Sequence, residues 1–396
     1  MTRPTFLALA ATNSAQGGVT GAAIGTEVVL DVLQPYCRIE LIELKTNGLR
    51  NLAATTLFER LRTAVGATIM SVDLLARLAM RGLRRAKVDY VYFLPAASKM
   101  GILRNAATVF VVRLLFRNSV LVFHIRNGNY FAPMTGLMGY LHRYVNKQAN
   151  NILVLSPSLL PEDPAACGLN LQKVCILPNT IDAALVPKQV PVKPAPPRPL
   201  KVLYLSNFIK EKGYLALLEA CEILCQRGVG DQFSLTFRGK WLSAEDRCAF
   251  EHRAAELSIH GLNVDIGDTV VERCEVQRLY SQHHVFCLPT CYAAEAQPRS
   301  ILEAMANGCA IVATRYRSIP DQVISGETGF LIDGQNPHRL ADTLQECARA
   351  DIAGMGQAGA ELFQQGFSPQ SIKSQLLEAL SLQGPMDVDL PRGADV

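Results

Sequence analysis

Two glutamates eight positions apart, Glu295 and Glu303, flank the start of a short apolar helix in the segment Phe286–Thr314. That segment reads as strand, loop, helix and strand. An apolar run closes at Leu288-Pro289, a loop carries Glu295, and a helix opens near Pro298, where the missing N–H of proline costs nothing. The helix runs from Arg299 to about Asn307 and stops at Gly308, a good C-terminal breaker. A helix N-terminus at the carboxyl end of a parallel strand offers unpaired amides and a positive dipole end to a crevice, which suits phosphate. Carboxylates beside such a site repel phosphate and instead accept from hydroxyls, which riboses and sugars offer in pairs. Taken alone, the two glutamates would read as a loop charge and a solvated helix residue. The run Ile301-Leu302-Glu303-Ala304-Met305-Ala306 argues otherwise, because a helix so apolar is mostly buried and a carboxylate on it needs a partner.

The elements that must position these residues alternate between short apolar runs and helical stretches, the pattern of α/β layers on parallel sheets. Expected strands are Thr5–Ala10, Ile39–Leu44, Tyr90–Phe93, Val120–Phe123, Ile152–Leu155 and Val174–Leu177 in the first half. In the second half they are Lys201–Leu205, Ser234–Phe237, Val285–Leu288, Ala310–Ala313 and Phe330–Ile332. Each set suffices for its own doubly wound sheet. Between them, residues 186–199 carry six prolines, which block helix and central strand and predict an extended connector. The expected organisation is a first unit over 1–185, a linker over 186–200 and a second unit over 201–383. The tail 384–396 lacks apolar periodicity and is expected to be disordered.

At 396 residues, 49% hydrophobic and 19% charged, the chain has the composition of a well-buried globular protein of two domains. Its charge is uneven: 19 Lys/Arg against 10 Asp/Glu in residues 1–185, and 20 against 25 in the remainder. A basic first half suits anionic lipid, nucleic acid or an acidic substrate, or is simply a solvated surface. The stretch 57–87 is apolar and carries Arg60, Arg62, Arg77, Arg81, Arg84, Arg85 and Lys87. It fits either a helix lying on an anionic membrane or a core helix pair with solvated arginines. The 11 cysteines lie singly, without CxxC or zinc spacing, as expected of reduced thiols in the cytoplasm. Phe6–Ala10 is too short for a secretory signal, and Thr108–Phe123 is interrupted by Arg113, Arg117 and Asn118, so no membrane span is expected.

The sequence resembles glycosyltransferase family 4, retaining enzymes of the GT-B fold. E-x7-E at Glu295 and Glu303, followed by Ala304-Met305-Ala306-x-Gly308 and Ile311-Val312-Ala313-Thr314, is similar to that family's donor-site signature. Leu177-Pro178-Asn179-Thr180-Ile181-Asp182 resembles its PNGID segment, with Thr180 in place of Gly. Val202–Asn207 through Lys212-Gly213 resembles the opening of its second domain, and Gly326–Ile332 its GxTG turn.

The resemblance implies two Rossmann-like domains facing across a cleft, with a nucleotide diphosphate sugar as donor and a glycan or lipid-linked glycan as acceptor. It implies that Glu303 accepts from the donor ribose, that Glu295 lies at the transferred sugar and that Lys212 neutralises the diphosphate. Gly17 and Gly18 would bring backbone amides to the phosphates, Ser300 would stand at the helix N-terminus, and His124 would face the sugar ring. Where the family has an Arg, this chain has Asn207, so a second cation is expected from Arg238 or Lys240, ahead of Arg299. Transfer would proceed with retention by front-face attack. No covalent nucleophile and no paired aspartates are evident, so no required metal or other cofactor is expected. No nucleic-acid partner is expected, and the protein would be cytoplasmic, peripheral on the inner face of the membrane. The alternatives are a non-catalytic GT-B subunit that binds a partner glycosyltransferase, and a sugar-nucleotide epimerase of the same fold. A nicotinamide oxidoreductase is set aside because no GxGxxG follows the first strand.

Overall fold

The computed structural model describes residues 3–12, 21–44, 57–84, 87–191, 193, 199–270 and 272–382, with the backbone alone at 21–22, 57–64 and 67. Gly17, Gly18, Arg85 and the tail 384–396 lie outside the described residues, and the side chains of Arg60 and Arg62 are not described. The expected α/β class is met: two six-stranded parallel sheets are covered by helices. The first sheet is ordered β2-β1-β3-β4-β5-β6, from β1 (Thr5–Ala10), β2 (Arg38–Glu43), β3 (Tyr90–Phe93), β4 (Val120–Ile125), β5 (Asn151–Val154) and β6 (Val174–Ile176). The second is ordered β12-β11-β10-β7-β8-β9, from β7 (Leu200–Leu205), β8 (Phe233–Arg238), β9 (Asn263–Gly267), β10 (Val285–Leu288), β11 (Ala310–Thr314) and β12 (Gly329–Ile332). Strands such as β10 and β11 are buried at every residue, as central parallel strands must be when helices cover both faces. β9 was not expected: Asn263-Val264-Asp265-Ile266-Gly267 carries residues poor in strand propensity and sits at the sheet's edge.

In each sheet the strand order reverses once, between β1 and β3 in the first and between β7 and β10 in the second. Crevices form beyond the carboxyl ends of strands at such reversals. The loop after β7 carries Asn207 and Lys212, and the loop after β10 carries Glu295 and Arg299. Gly213 permits their approach. Its φ is +84°, and a Cβ there would stand 2.2 Å from the Pro289 carbonyl oxygen.

The two units exchange pieces of chain across the proline-rich segment. The last helix, α12 (Pro369–Ala379), returns to the first sheet. Ile372, Leu376 and Leu380 form a stripe that packs with Phe6, Ala8, Tyr92 and Leu177. Tyr90 OH donates to the Leu380 carbonyl at 3.2 Å, and Asn151 Nδ2 to that of Ala379 at 2.7 Å. The expected second unit, 201–383, therefore gives its last helix to the core of the first. Conversely, Ile181 and Leu185 pack into the second unit's core, and linker residue Lys193 is buried there, donating to the Tyr280 carbonyl at 2.8 Å.

The basic stretch also reads differently in three dimensions. α2 (Leu57–Leu83) pairs Arg81 with Glu40 and Arg77 with Asp73. Its exposed face shows Ile69, Val72, Met80 and Leu83, beside Phe110 and Leu114 of α3 (Lys99–Leu115). No described helix is long and apolar enough to cross a membrane.

Candidate active site

A cavity of about 420 Å³ lies between the units. Asn207, Lys212, Glu295, Arg299, Ser300 and Glu303 from the second unit line it, facing Arg126 and Asn179 from the first. α8 (Arg299–Ala306) aims its N-terminus into this space, with Pro298 at the cap position and Arg299 opening the first turn. Ile301, Leu302, Ala304, Met305 and Ala306 hold the helix in the core, so Glu303 alone of that run turns to the cavity. Its carboxylate accepts from Tyr280 OH at 2.8 Å. Burial raises the Glu303 pKa above the ordinary carboxylate value, while Tyr280, Arg299 and Arg273 oppose that rise. Lys212 Nζ forms an ion pair with Glu295 and lies 5.1 Å from the centroid of the Tyr292 ring. Arg273, also on the wall, is held by Asp182 at 2.8 Å.

The facing wall is different. Arg126 follows β4 and is half-buried, its Nη2 donating to the Gly25 carbonyl at 2.8 Å. Its Nε and Nη1 have no hydrogen-bond partner among the described residues, nor has Arg299 Nε. A Cβ on Gly25 would lie 1.5 Å from Arg126 Nη1 and 2.8 Å from Arg299 Nη2, so two guanidinium groups from opposite units meet over one glycine of α1 (Gly21–Leu33). Burial and Arg126 push the Arg299 pKa down to about 9, against the pull of Glu303, Asp182 and Glu27. At neutral pH both remain cations. Two half-buried like charges with unpartnered nitrogens are costly unless an anion joins them.

His124 stands one layer behind this wall and is not among the lining residues. Tyr92 OH lies 2.8 Å and Arg126 Nη2 3.3 Å from its Nδ1. Arginine can only donate, so Nδ1 accepts and the ring's proton sits on Nε2. Burial, then Arg126 and Arg299, hold its pKa well below the ordinary value, leaving a neutral ring that supports Arg126. His124 was expected to face the sugar ring; its ring lies behind Arg126, outside the cavity lining.

The residues expected to supply a second cation are placed unequally around the cavity. Arg238 Nη2 pairs with Asp265 Oδ2 at 2.5 Å on the β8–β9 edge, and Lys240 is exposed; neither lines the cavity. Arg299 does, contrary to the order expected. The strand β8 that carries Arg238 is one place further from the reversal than β7, which sets its end aside from the crevice. Sequence reasoning passed over Arg126, although it lies two residues beyond His124, on the same face where a strand alternates. It also missed Tyr280 and Gln297, for which no local signal exists. Asn179, inside the Leu177–Asp182 segment, donates Nδ2 to the Gln297 carbonyl at 3.0 Å, and its backbone N–H donates to Gln297 Oε1 at 2.6 Å. These bonds tie the Glu295 loop to the first unit.

Fold and cavity together define a two-domain α/β protein of the GT-B architecture. Residues 186–352 match the family described as Glycosyl transferases group 1. The chain is 27% identical over 195 residues to the putative colanic acid biosynthesis glycosyltransferase WcaL of Salmonella typhimurium, covering 47% of this chain and 46% of that protein. It is 25% identical over 189 residues to the amylovoran biosynthesis glycosyltransferase AmsK of Erwinia amylovora, covering 46% and 45%. These matches span about half the length of the curated relatives. Among solved structures, Anabaena Alr3699/HepE in complex with UDP superposes with a TM-score of 0.67 at 17% identity, covering 95% of this chain and 99% of that one. That likeness concerns the fold.

Proposed function

We propose that this chain is a retaining glycosyltransferase that moves a sugar from a nucleotide diphosphate sugar to a glycan or lipid-linked glycan in polysaccharide biosynthesis. The observation that carries the reading is the meeting of Arg126 and Arg299 beside Lys212 and the α8 N-terminus, all of them lining one space. A diphosphate there would lie among these cations, which would stabilise the charge that develops on the leaving phosphate. Lys212, turning from Glu295 to the phosphates, frees that carboxylate for hydroxyls of the transferred sugar. Glu303 accepts from the ribose. Attack comes from the front face, assisted by the leaving group, without a covalent nucleophile. The matched proteins WcaL and AmsK, named for colanic acid and amylovoran biosynthesis, support the polysaccharide assignment.

The reading includes independence from divalent metal, since cations and amides already face the diphosphate. Transfer should survive excess EDTA, and loss restored by magnesium or manganese would refute that part. A lipid-linked acceptor fits the exposed apolar face of α2 and α3, which we take to rest on the membrane surface; Phe110→Ser with Leu114→Ser should release the protein from anionic vesicles. The decisive experiment is a melting-temperature screen of UDP, GDP and their sugars against NAD(P). Stabilisation by a nucleotide sugar is expected. Stabilisation by NAD(P) alone, or by none, would overturn the proposal. Nucleotide binding without transfer or hydrolysis would instead favour a non-catalytic subunit.

A further inference from the structure

We infer that a second cavity, across the 126–132 loop from the donor site, is the subsite for a neutral sugar of the acceptor; this rests on the transferase reading above. The cavity measures about 810 Å³, and Phe131, Met134, His142, Arg143, Leu159 and Arg317 are among its lining. One thin partition separates the two spaces. Arg126 lines the donor cavity, while Gly128, two residues on, lines this one. Gly128 N–H donates to the Ala294 carbonyl at 3.4 Å, and a Cβ on Gly128 would stand 2.0 Å from the Glu295 carbonyl oxygen. The loop that carries Glu295 therefore forms part of the dividing wall, which sets an acceptor sugar beside the place where the donor sugar is expected.

The chemistry of the lining selects a pyranose. Such a ring needs an apolar surface under its C–H face together with both donors and acceptors for its hydroxyls. Phe131, Met134 and Leu159 supply the first, Arg143 and Arg317 donate, and Glu162 and Asp163 accept. Two arginines against two carboxylates favour a neutral guest over a polyanion. His142 is 2% exposed, packs edge-on against Tyr130 with ring centroids 4.8 Å apart, and leaves its Nε2 with no hydrogen-bond partner among the described residues. Burial and Arg143 push its pKa down to about 4, so at neutral pH it is an uncharged ring in the cavity wall.

Arg317 supplies the link to turnover. It belongs to the second unit, at the end of β11, and holds a left-handed φ of 52° that non-glycine residues seldom adopt. It donates to Asn129 Oδ1 and to the Ala293 carbonyl, and its Nε has no partner among the described residues. The cavity is complete only while the units are together, so the acceptor subsite forms when the donor cleft closes.

The test is saturation-transfer NMR on the full chain with the methyl glycosides of glucose, galactose and mannose and with methyl glucuronide, in the presence and absence of UDP. At least one neutral glycoside should bind, more tightly with UDP present. Ala166→Trp, placed on the exposed rim, and Met134→Trp, from the opposite side, should each abolish that signal and leave calorimetric UDP affinity unchanged. Failure of every neutral glycoside to bind, binding that survives both tryptophans, displacement by UDP, or preference for the glucuronide would overturn the assignment. Absence of UDP binding in the wild type would refute the donor reading separately, since the glycoside signal is read without it.

Discussion

The two sheets have six parallel strands apiece and open on the same cleft, yet they arm it differently. In the second unit most charged groups are settled with neighbours: Lys212 with Glu295, Glu303 with Tyr280, Arg273 with Asp182. The exception is Arg299, whose Nε has no partner among the described residues. In the first, Arg126 is half-buried with two of its nitrogens unmatched among the described residues, and it presses a like charge on Arg299. The imbalance is thus concentrated where these two arginines meet, and an anion there would relieve it. A cleft built this way binds donor as a bridge, and it couples donor binding to the approach of the units.

The comparison breaks most visibly at Lys212 and Arg126. Lys212→Ala and Arg126→Met should each lower turnover by about 10²–10³, the usual effect of removing one preorganised donor. Their stabilities should diverge. Lys212→Ala strands the nearly buried Glu295 and should lower the melting temperature of the free protein. Arg126→Met removes a half-buried charge with two unmatched nitrogens and should raise the melting temperature or leave it unchanged, because replacing such charges by apolar groups is often stabilising. Equal destabilisation by both would show that Arg126 is an ordinary structural residue.

A smaller effect is expected at Glu303. Glu303→Ala should weaken UDP or GDP by roughly 1.5–3 kcal/mol, the range for hydrogen bonds to charged groups, and Tyr280→Phe by about 1 kcal/mol. Calorimetry on folded variants decides this, and unchanged affinity in Glu303→Ala would remove the ribose assignment. The acid limb of binding follows from the same residue. Its pKa in the free protein is raised by burial, and hydroxyl donors favour the ionised form. Affinity should therefore fall on acidification, beginning at a higher pH than an ordinary carboxylate would set. Glu303→Gln should flatten that limb; an unaltered acid limb in this variant would assign it to another group.

The legibility of the chain was as uneven as its charges. Proline at the helix start, Gly308 at its end and the apolar run around Glu303 are local signals, so the second unit's half of the site could be read in order. Lys212-Gly213 was read only through the family resemblance; the structure supplies the physical reason for the glycine, a turn that has no room for a Cβ against Pro289. The first unit's half depends on which side chain of a strand end reaches the partner, and that is set by docking rather than by propensity. His124 and Arg126 sit two apart in sequence, and only the assembled cleft shows that the arginine is in front and the histidine behind. The return of α12 was invisible for a similar reason. Its stripe at Ile372, Leu376 and Leu380 announces a buried face without naming the sheet it covers.

The smallest expected effect is the sharpest check on where the cation set ends. Arg238 is largely enclosed by its own neighbours, donating to the Phe237 carbonyl at 2.9 Å and pairing with an Asp265 that is itself half exposed. A guanidinium so occupied, at the end of a strand set aside from the reversal, has nothing left for a phosphate. Arg238→Ala should change turnover by less than about twofold and stability by roughly 0–1 kcal/mol, as for a partly exposed ion pair. Arg299→Ala, by contrast, should lose much of its turnover, and Asn207→Arg should restore part of it, since Asn207 lines the same cavity. If Asn207→Arg instead rescued an impaired Arg238→Ala and left Arg299→Ala inactive, the cleft's cations would extend to the β8 edge. The pairing of Arg126 with Arg299 would then no longer account for how the chain manages with asparagine at position 207.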